Sequence, residues 1–176
     1  MPKLISKNTK KNIERVKNRL EGEKVFIHVW GDRPKEMMAS EALLLGNTFL
    51  SEKKEYAALQ IAEQLQKKFS DIVDIPLLML RSLIELEQFL EANKLFDGLI
   101  KSAPNNTGVL SAGARLKLML GDTDAAKKLI QSLLKNKPDN TEALFRVAEL
   151  FRLTGDAEKA KAGGRDPILT KETSLT

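Results

Sequence analysis

The chain reads as an all-α solenoid of antiparallel helix pairs, three full 34-residue repeats and a truncated fourth, behind an N-terminal leader that is part helical and part extended. Three observations predict this. Ala58, Ala92, Ala126 and Ala160 stand 34 residues apart, as do Pro104 and Pro138, Gly121 and Gly155, and Asp122 and Asp156. Self-similarity at a fixed interval of this size marks stacked supersecondary units. The stretch 86–104, LEQFLEANKLFDGLIKSAP, shows the spacing of small and large apolar residues that recurs before and after it, with Gly46, Leu80, Ala114 and Ala148 as a further, mostly small column. Finally, 42% hydrophobic and 30% charged residues with only 5% aromatic describe a soluble chain that leans on Leu and Ala, as helix packing does.

Taken in order, residues 8–20 place Ile13, Val16 and Leu20 at helical spacing among charges, so an amphipathic helix is expected, ended by Gly22. The first 24 residues carry eight Lys or Arg against three Glu, which accounts for the whole net charge of +5. Such a field attracts polyanions, anionic lipid or acidic protein surfaces; the plainer reading is a solvated helix. The run KVFIHVW is rich in β-branched and aromatic residues and is expected to be extended. It lies as a strap along the first helix pair, pairs across a dimer, or becomes helical under tertiary override. His28, the only histidine, has no second ligand or nucleophile placed with it and is read as packed. Trp30 has the chemistry of a partner anchor, but its expected place is buried against the first repeat.

Asp32, Arg33 and Pro34 read as a helix start, with Asp as cap and Pro in the first turn. The expected pairs are 34–51 with 54–69, 73–86 with 89–102, 107–119 with 123–136, and 141–153 with 156–162, joined by short polar linkers. The organisation is therefore a leader over 1–33, a repeat domain over 34–162 and a tail over 163–176. The last helix stops at Gly163 and Gly164, too early to cover the apolar residues Leu144, Val147, Ala148 and Phe151. Terminal repeats need a polar cap. Ile168 and Leu169 folding back, a homodimer through this C-terminal face, or a longer polypeptide is the expected cover.

These columns resemble the tetratricopeptide repeat, whose pattern runs Trp-x2-Leu-Gly-x2-Tyr, then Ala-x3-Phe, then Pro. Ala42, Leu45, Gly46 and Phe49 carry the first half in one repeat, with Ala42 where Trp is usual; Ala92, Phe96 and Pro104 carry the second half in the next. Ser70 replaces the first Pro, and Lys117 stands where the third repeat calls for an aromatic. The resemblance spans roughly 39–162. It implies that the first helix of each pair lines a concave groove that takes extended peptides or helices. Carried onto this sequence, the groove residues are Asn47, Leu77, Arg81, Arg115, Leu118, Phe145 and Arg152. The three arginines would bond carboxylates or phosphates, with Leu77, Leu118 and Phe145 as apolar pockets; the arginines holding charges between successive helices stays an open alternative. Of the positions used by relatives that clamp a C-terminal carboxylate, only Asn47 matches.

Chemistry has little foothold. With no cysteine there is no disulfide framework, thiol nucleophile or cysteine zinc site. No P-loop or HExxH occurs, and Asp122 and Asp124 lack the Gly and Glu of a calcium loop and are expected to cap a helix. No cofactor is expected. No apolar run reaches the 18 residues of a membrane span, and no secretory signal opens the chain, so a cytoplasmic protein is expected. Its expected function is that of a non-enzymatic scaffold or adaptor for a protein or peptide partner with acidic and apolar residues. The alternative is an accessory module of a larger enzyme or complex, with a secretion-type chaperone behind it. Nucleic acid ranks last, because the first 24 residues offer no aromatic for bases to stack on. The repeat reading makes Ala92 a close-approach position: Ala92→Phe is expected to cost about 1–3 kcal/mol, read as a lower midpoint in a thermal melt.

Overall fold

The computed structural model describes residues 7–136, 139 and 141–153. Eight helices and one two-stranded antiparallel sheet lie among them, in two compact units, residues 1–86 and 87–176. The expected helix over 156–162, the fold-back of Ile168 and Leu169, and the tail fall outside the described residues.

The first unit contains α1 (Lys7–Gly22), β1 (Lys24–Ile27), β2 (Lys35–Met38), α2 (Ala39–Ser51), α3 (Glu55–Lys68) and α4 (Asp74–Glu85). The leader helix does more than carry charge. Leu20 is buried with Val25, Ile27, Ala39, Ala42, Ile61 and Leu65, and Val16 packs against the same cluster. Burial of Leu20 contributes about 1.5–3 kcal/mol relative to exposure, while the Arg19 guanidinium, 2.6 Å from the Asp71 carboxylate and 5.8 Å from the Phe69 ring centroid, sets the orientation of the helix.

Three expectations fail around the hairpin. The helix expected to open at Asp32 and Pro34 begins at Ala39, because Lys35–Met38 pair antiparallel with Lys24–Ile27, in the register Lys24 with Met38 and Ile27 with Lys35. The extended segment thus pairs within its own chain rather than across a dimer and does not become helical, while its apolar side lies along the first helix pair, Val25 and Ile27 being buried with Ala39, Ala42, Ile61 and Leu65 as the strap reading expected. Pairing gives the β1 backbone bonds that an isolated strand lacks. The Glu41 carboxylate accepts from the Met38 N–H (3.0 Å) and starts α2 in place of Asp32. Strand alternation then turns Val25 and Ile27 inward and Phe26 and His28 outward. His28 is exposed rather than packed, and Trp30 is 87% exposed rather than buried.

The second unit contains α5 (Phe89–Ser102), α6 (Thr107–Met119), α7 (Thr123–Asn136) and α8 (Thr141–Leu153), whose bounds agree with the expected helices. The Asn106 side chain accepts from the Val109 N–H and the Asp122 side chain from the Ala125 N–H, both at 3.1 Å, so α6 and α7 each start on a side-chain cap. Val147 joins Leu110, Ala114, Leu118, Ala126, Ile130 and Leu133 in the core and Leu144 packs against it, so these two residues of the supposedly uncovered face point inward. Lys117, where an aromatic was expected, places its ammonium 2.6 Å from Asn93 Oδ1 and 5.7 Å from the Phe96 ring centroid.

The 34-residue interval appears in the backbone itself. Lys53, Glu87 and Gly121 have left-handed φ values of 63°, 58° and 76°, the conformation that ends a helix and turns the chain. Ala58, Ala92 and Ala126 are fully buried. In the first unit a Cβ on Gly46 would lie 2.6 Å from Leu78 Cδ2; in the second, a Cβ on Gly113 would collide with the Phe96 ring.

Two sets of variants test this packing. Gly113→Ala is expected to lose about 1–3 kcal/mol to overpacking despite its better helix propensity, whereas Gly98→Ala, where an added Cβ meets nothing, is expected to gain about 0.5–1 kcal/mol; chemical denaturation reads both. The Arg19 hydrogen bond, then the local backbone, lowers the Asp71 pKa from its ordinary 3.8. A depressed carboxylate stabilises the fold above its unfolded pKa and loses that contribution as pH falls through its folded value. Asp71→Asn should therefore melt below the parent chain at neutral pH, and the two melts should converge as the medium is acidified below the ordinary carboxylate range.

Candidate functional site

In the first unit α2 packs against α4. Asn47 is exposed on α2, and its Nδ2 donates to the Leu43 carbonyl at 2.9 Å, which ties the amide to its own helix. Arg81, one turn beyond Leu77 on α4, is half-buried. Leu77 itself is only 6% exposed, on a helix that also buries Ile75, Leu78, Leu80, Leu83 and Ile84. It belongs to the interior and offers a ligand little surface.

In the second unit α6 packs against α8. Arg115 is half-buried on α6, while Leu118, 4% exposed, lies in the core. On α8, Phe145 is 62% exposed and Arg152 is exposed. Their separation of seven residues, close to two turns, sets both on one face of the helix. Arg115, Phe145 and Glu149 each have interaction partners of their own. Among the described side chains of α8, an aromatic ring and a guanidinium are thus exposed, whereas Leu77 on α4 and Leu118 on α6 are withdrawn into the core.

The sequence reading missed an aromatic surface in the first unit. Phe26 is 71% exposed, Trp30 87% and Tyr56 67%, with His28 exposed between the first two. The signal was the alternation of Val25, Ile27 and Val29 with Phe26, His28 and Trp30, which in a strand separates the two sets onto opposite faces. Side chains of α3 hold this segment in place. Gln64 accepts from the His28 N–H (2.9 Å) and donates to the His28 carbonyl (2.7 Å), Gln60 accepts from the Trp30 N–H (3.2 Å), and Lys68 donates to the Lys24 carbonyl (3.1 Å).

Among the described residues, no three His, Cys, Asp or Glu side chains gather to hold a metal ion, and no helix is long and apolar enough to cross a membrane. A recess on α1 is lined by Glu14, Arg15, Asn18 and Arg19; Glu14 opposes an anion there, and the Arg19 head is engaged by Asp71.

These features define an all-α helical-repeat protein. No protein-family model matches the chain, and no curated protein does. Solved structures do. TTC0263, a thermophilic tetratricopeptide-repeat protein of Thermus thermophilus, superposes with a TM-score of 0.66 at 17% identity over 70% of each chain. The first tetratricopeptide-repeat domain of human RPAP3 superposes with a TM-score of 0.58 at 17% identity, over 69% of this chain and 93% of that domain. MamA of Desulfovibrio magneticus RS-1 superposes with a TM-score of 0.56 at 14% identity over 70% of each chain. The chain has the tetratricopeptide-repeat fold.

Proposed function

We propose that the protein is a non-enzymatic interaction scaffold that captures a peptide or helical segment carrying acidic and apolar residues, and that it works in the cytoplasm. The observation that carries the reading is the exposed face of α8, where Phe145 and Arg152 lie about two turns apart. An exposed ring with a guanidinium two turns along the same face can anchor apolar and carboxylate side chains of a partner. Asn47 and Arg81 on the first unit, and Arg115 on the second, add polar points on the corresponding helices. Leu77 and Leu118 support these surfaces from within. The likeness of fold to tetratricopeptide-repeat proteins supports a scaffold, since this fold carries its function in surface residues grafted onto a common frame.

Labelled peptides followed by fluorescence anisotropy test the reading. A leucine-rich acidic peptide is expected to bind, and its charge-inverted counterpart is not. Phe145→Ala and Arg152→Glu should each weaken binding about tenfold or more with unchanged circular dichroism. Equal binding of the two peptides, or indifference to the substitutions, would reject this surface.

A further inference from the structure

The only tryptophan and the only tyrosine of the chain are both exposed, and both belong to the first unit. The bonds to α3 order them. Lys24 meets Lys68, His28 meets Gln64 and Trp30 meets Gln60, so the segment runs antiparallel to α3, and Tyr56 lies one helical turn beyond Gln60 in the same direction. Phe26, His28, Trp30 and Tyr56 therefore form one row, roughly 20 Å long from strand and helix rises.

We propose that this row is a self-association face, and that its occupant is the same row of a second copy of the chain related by a two-fold axis. Two arguments select a second copy. The first is charge. Three of the cations that border the row are matched by acids: Lys24 by Glu36 at 3.1 Å, Lys68 by Glu23 at 3.0 Å and Lys54 by Glu52 at 2.7 Å. A polyanion finds these three charges already matched, whereas an identical row meets an apolar counterpart. The second is area. At about 150–250 Å² per aromatic side chain, the exposed fractions of Phe26, Trp30 and Tyr56 amount to roughly 350–550 Å² in each copy. A standard interface takes about 800 Å² per partner, and the row with its polar rim of His28, Gln60 and Lys24 approaches that. A two-fold contact is isologous and requires a self-complementary patch. Aromatic rings stack on their like, and the two-fold lays the Phe26 end of one row along the Tyr56 end of its mate.

The hairpin and α3 are held by burial of Val25, Ile27, Ile61 and Leu65, so the exposed rings are open to substitution without loss of the fold. Sedimentation equilibrium on the full chain from about 1 to 100 μM, with emission of the sole tryptophan as a local probe, tests the proposal. The expected result is a concentration-dependent dimer whose Trp30 emission moves to shorter wavelength as it forms. Trp30→Ser should raise the dissociation constant about tenfold or more, Phe26→Ser should weaken the dimer in the same direction, and both should keep the parental melting curve. A monomer with water-exposed emission throughout the range overturns the proposal. So does a dimer that survives Trp30→Ser, which places its interface elsewhere, or a monomer whose emission shifts only on adding an unrelated peptide, which gives the row to another protein. None of these outcomes bears on capture by Phe145 and Arg152, so the two readings fail separately.

Discussion

A helix can receive a large side chain from its neighbour only where it has little side chain of its own, and that constraint governs both units. Leu78 reaches the α2 backbone at Gly46, and the Phe96 ring lies directly against α6 at Gly113. Ala58, Ala92 and Ala126, on α3, α5 and α7, are sealed from solvent. Close-packed interiors leave no slack at such points. The close approach of Leu78 to α2 and of Phe96 to α6 therefore depends on missing methyl groups at Gly46 and Gly113. Arg81, Phe145 and Arg152 occupy the surface because their helix-mates occupy the core.

Periodicity made this frame legible. The bounds of α5 to α8 follow from the spacing of apolar residues and from caps such as Asn106 and Asp122, because a helix repeats its own geometry along the chain. The recurrence of left-handed residues at 53, 87 and 121 is the backbone form of the same regularity, although only Gly121 announces it by residue type. What depends on contacts distant in sequence was not legible. Met37 and Met38 have no marked strand preference and become strand through pairing with β1. Gly113 stands one residue before its repeat column, and its importance appears only when Phe96 arrives from α5. Leu77 and Leu118 follow the groove positions of a resembling family, yet in this chain α4 and α6 bury them.

The leader shows how burial decides between competing roles. A basic amphipathic helix read alone is a candidate for anionic surfaces. With Leu20 in the core and Val16 against it, the C-terminal half of α1 has its apolar side occupied and acts as a wall of the first unit. Glu14, Arg15, Lys17 and Glu21 are exposed, and Arg19 is committed to Asp71 and Phe69. The scaffold reading draws on the opposite situation, rings and guanidinium groups that the core did not absorb.

The double hydrogen bond between the Gln64 amide and the backbone of His28 has a consequence for aggregation. A side-chain amide carries the same donor and acceptor as a peptide group, so Gln64 occupies the place of a neighbouring strand, and Gln60 and Lys68 extend the substitution toward each end. An exposed strand edge is a template for uncontrolled pairing with other chains. Here helix α3 stands in for the missing strand at the Lys24 carbonyl of β1 and at His28 and Trp30 in its extension, and the hairpin stays two strands wide while its aromatic face remains open.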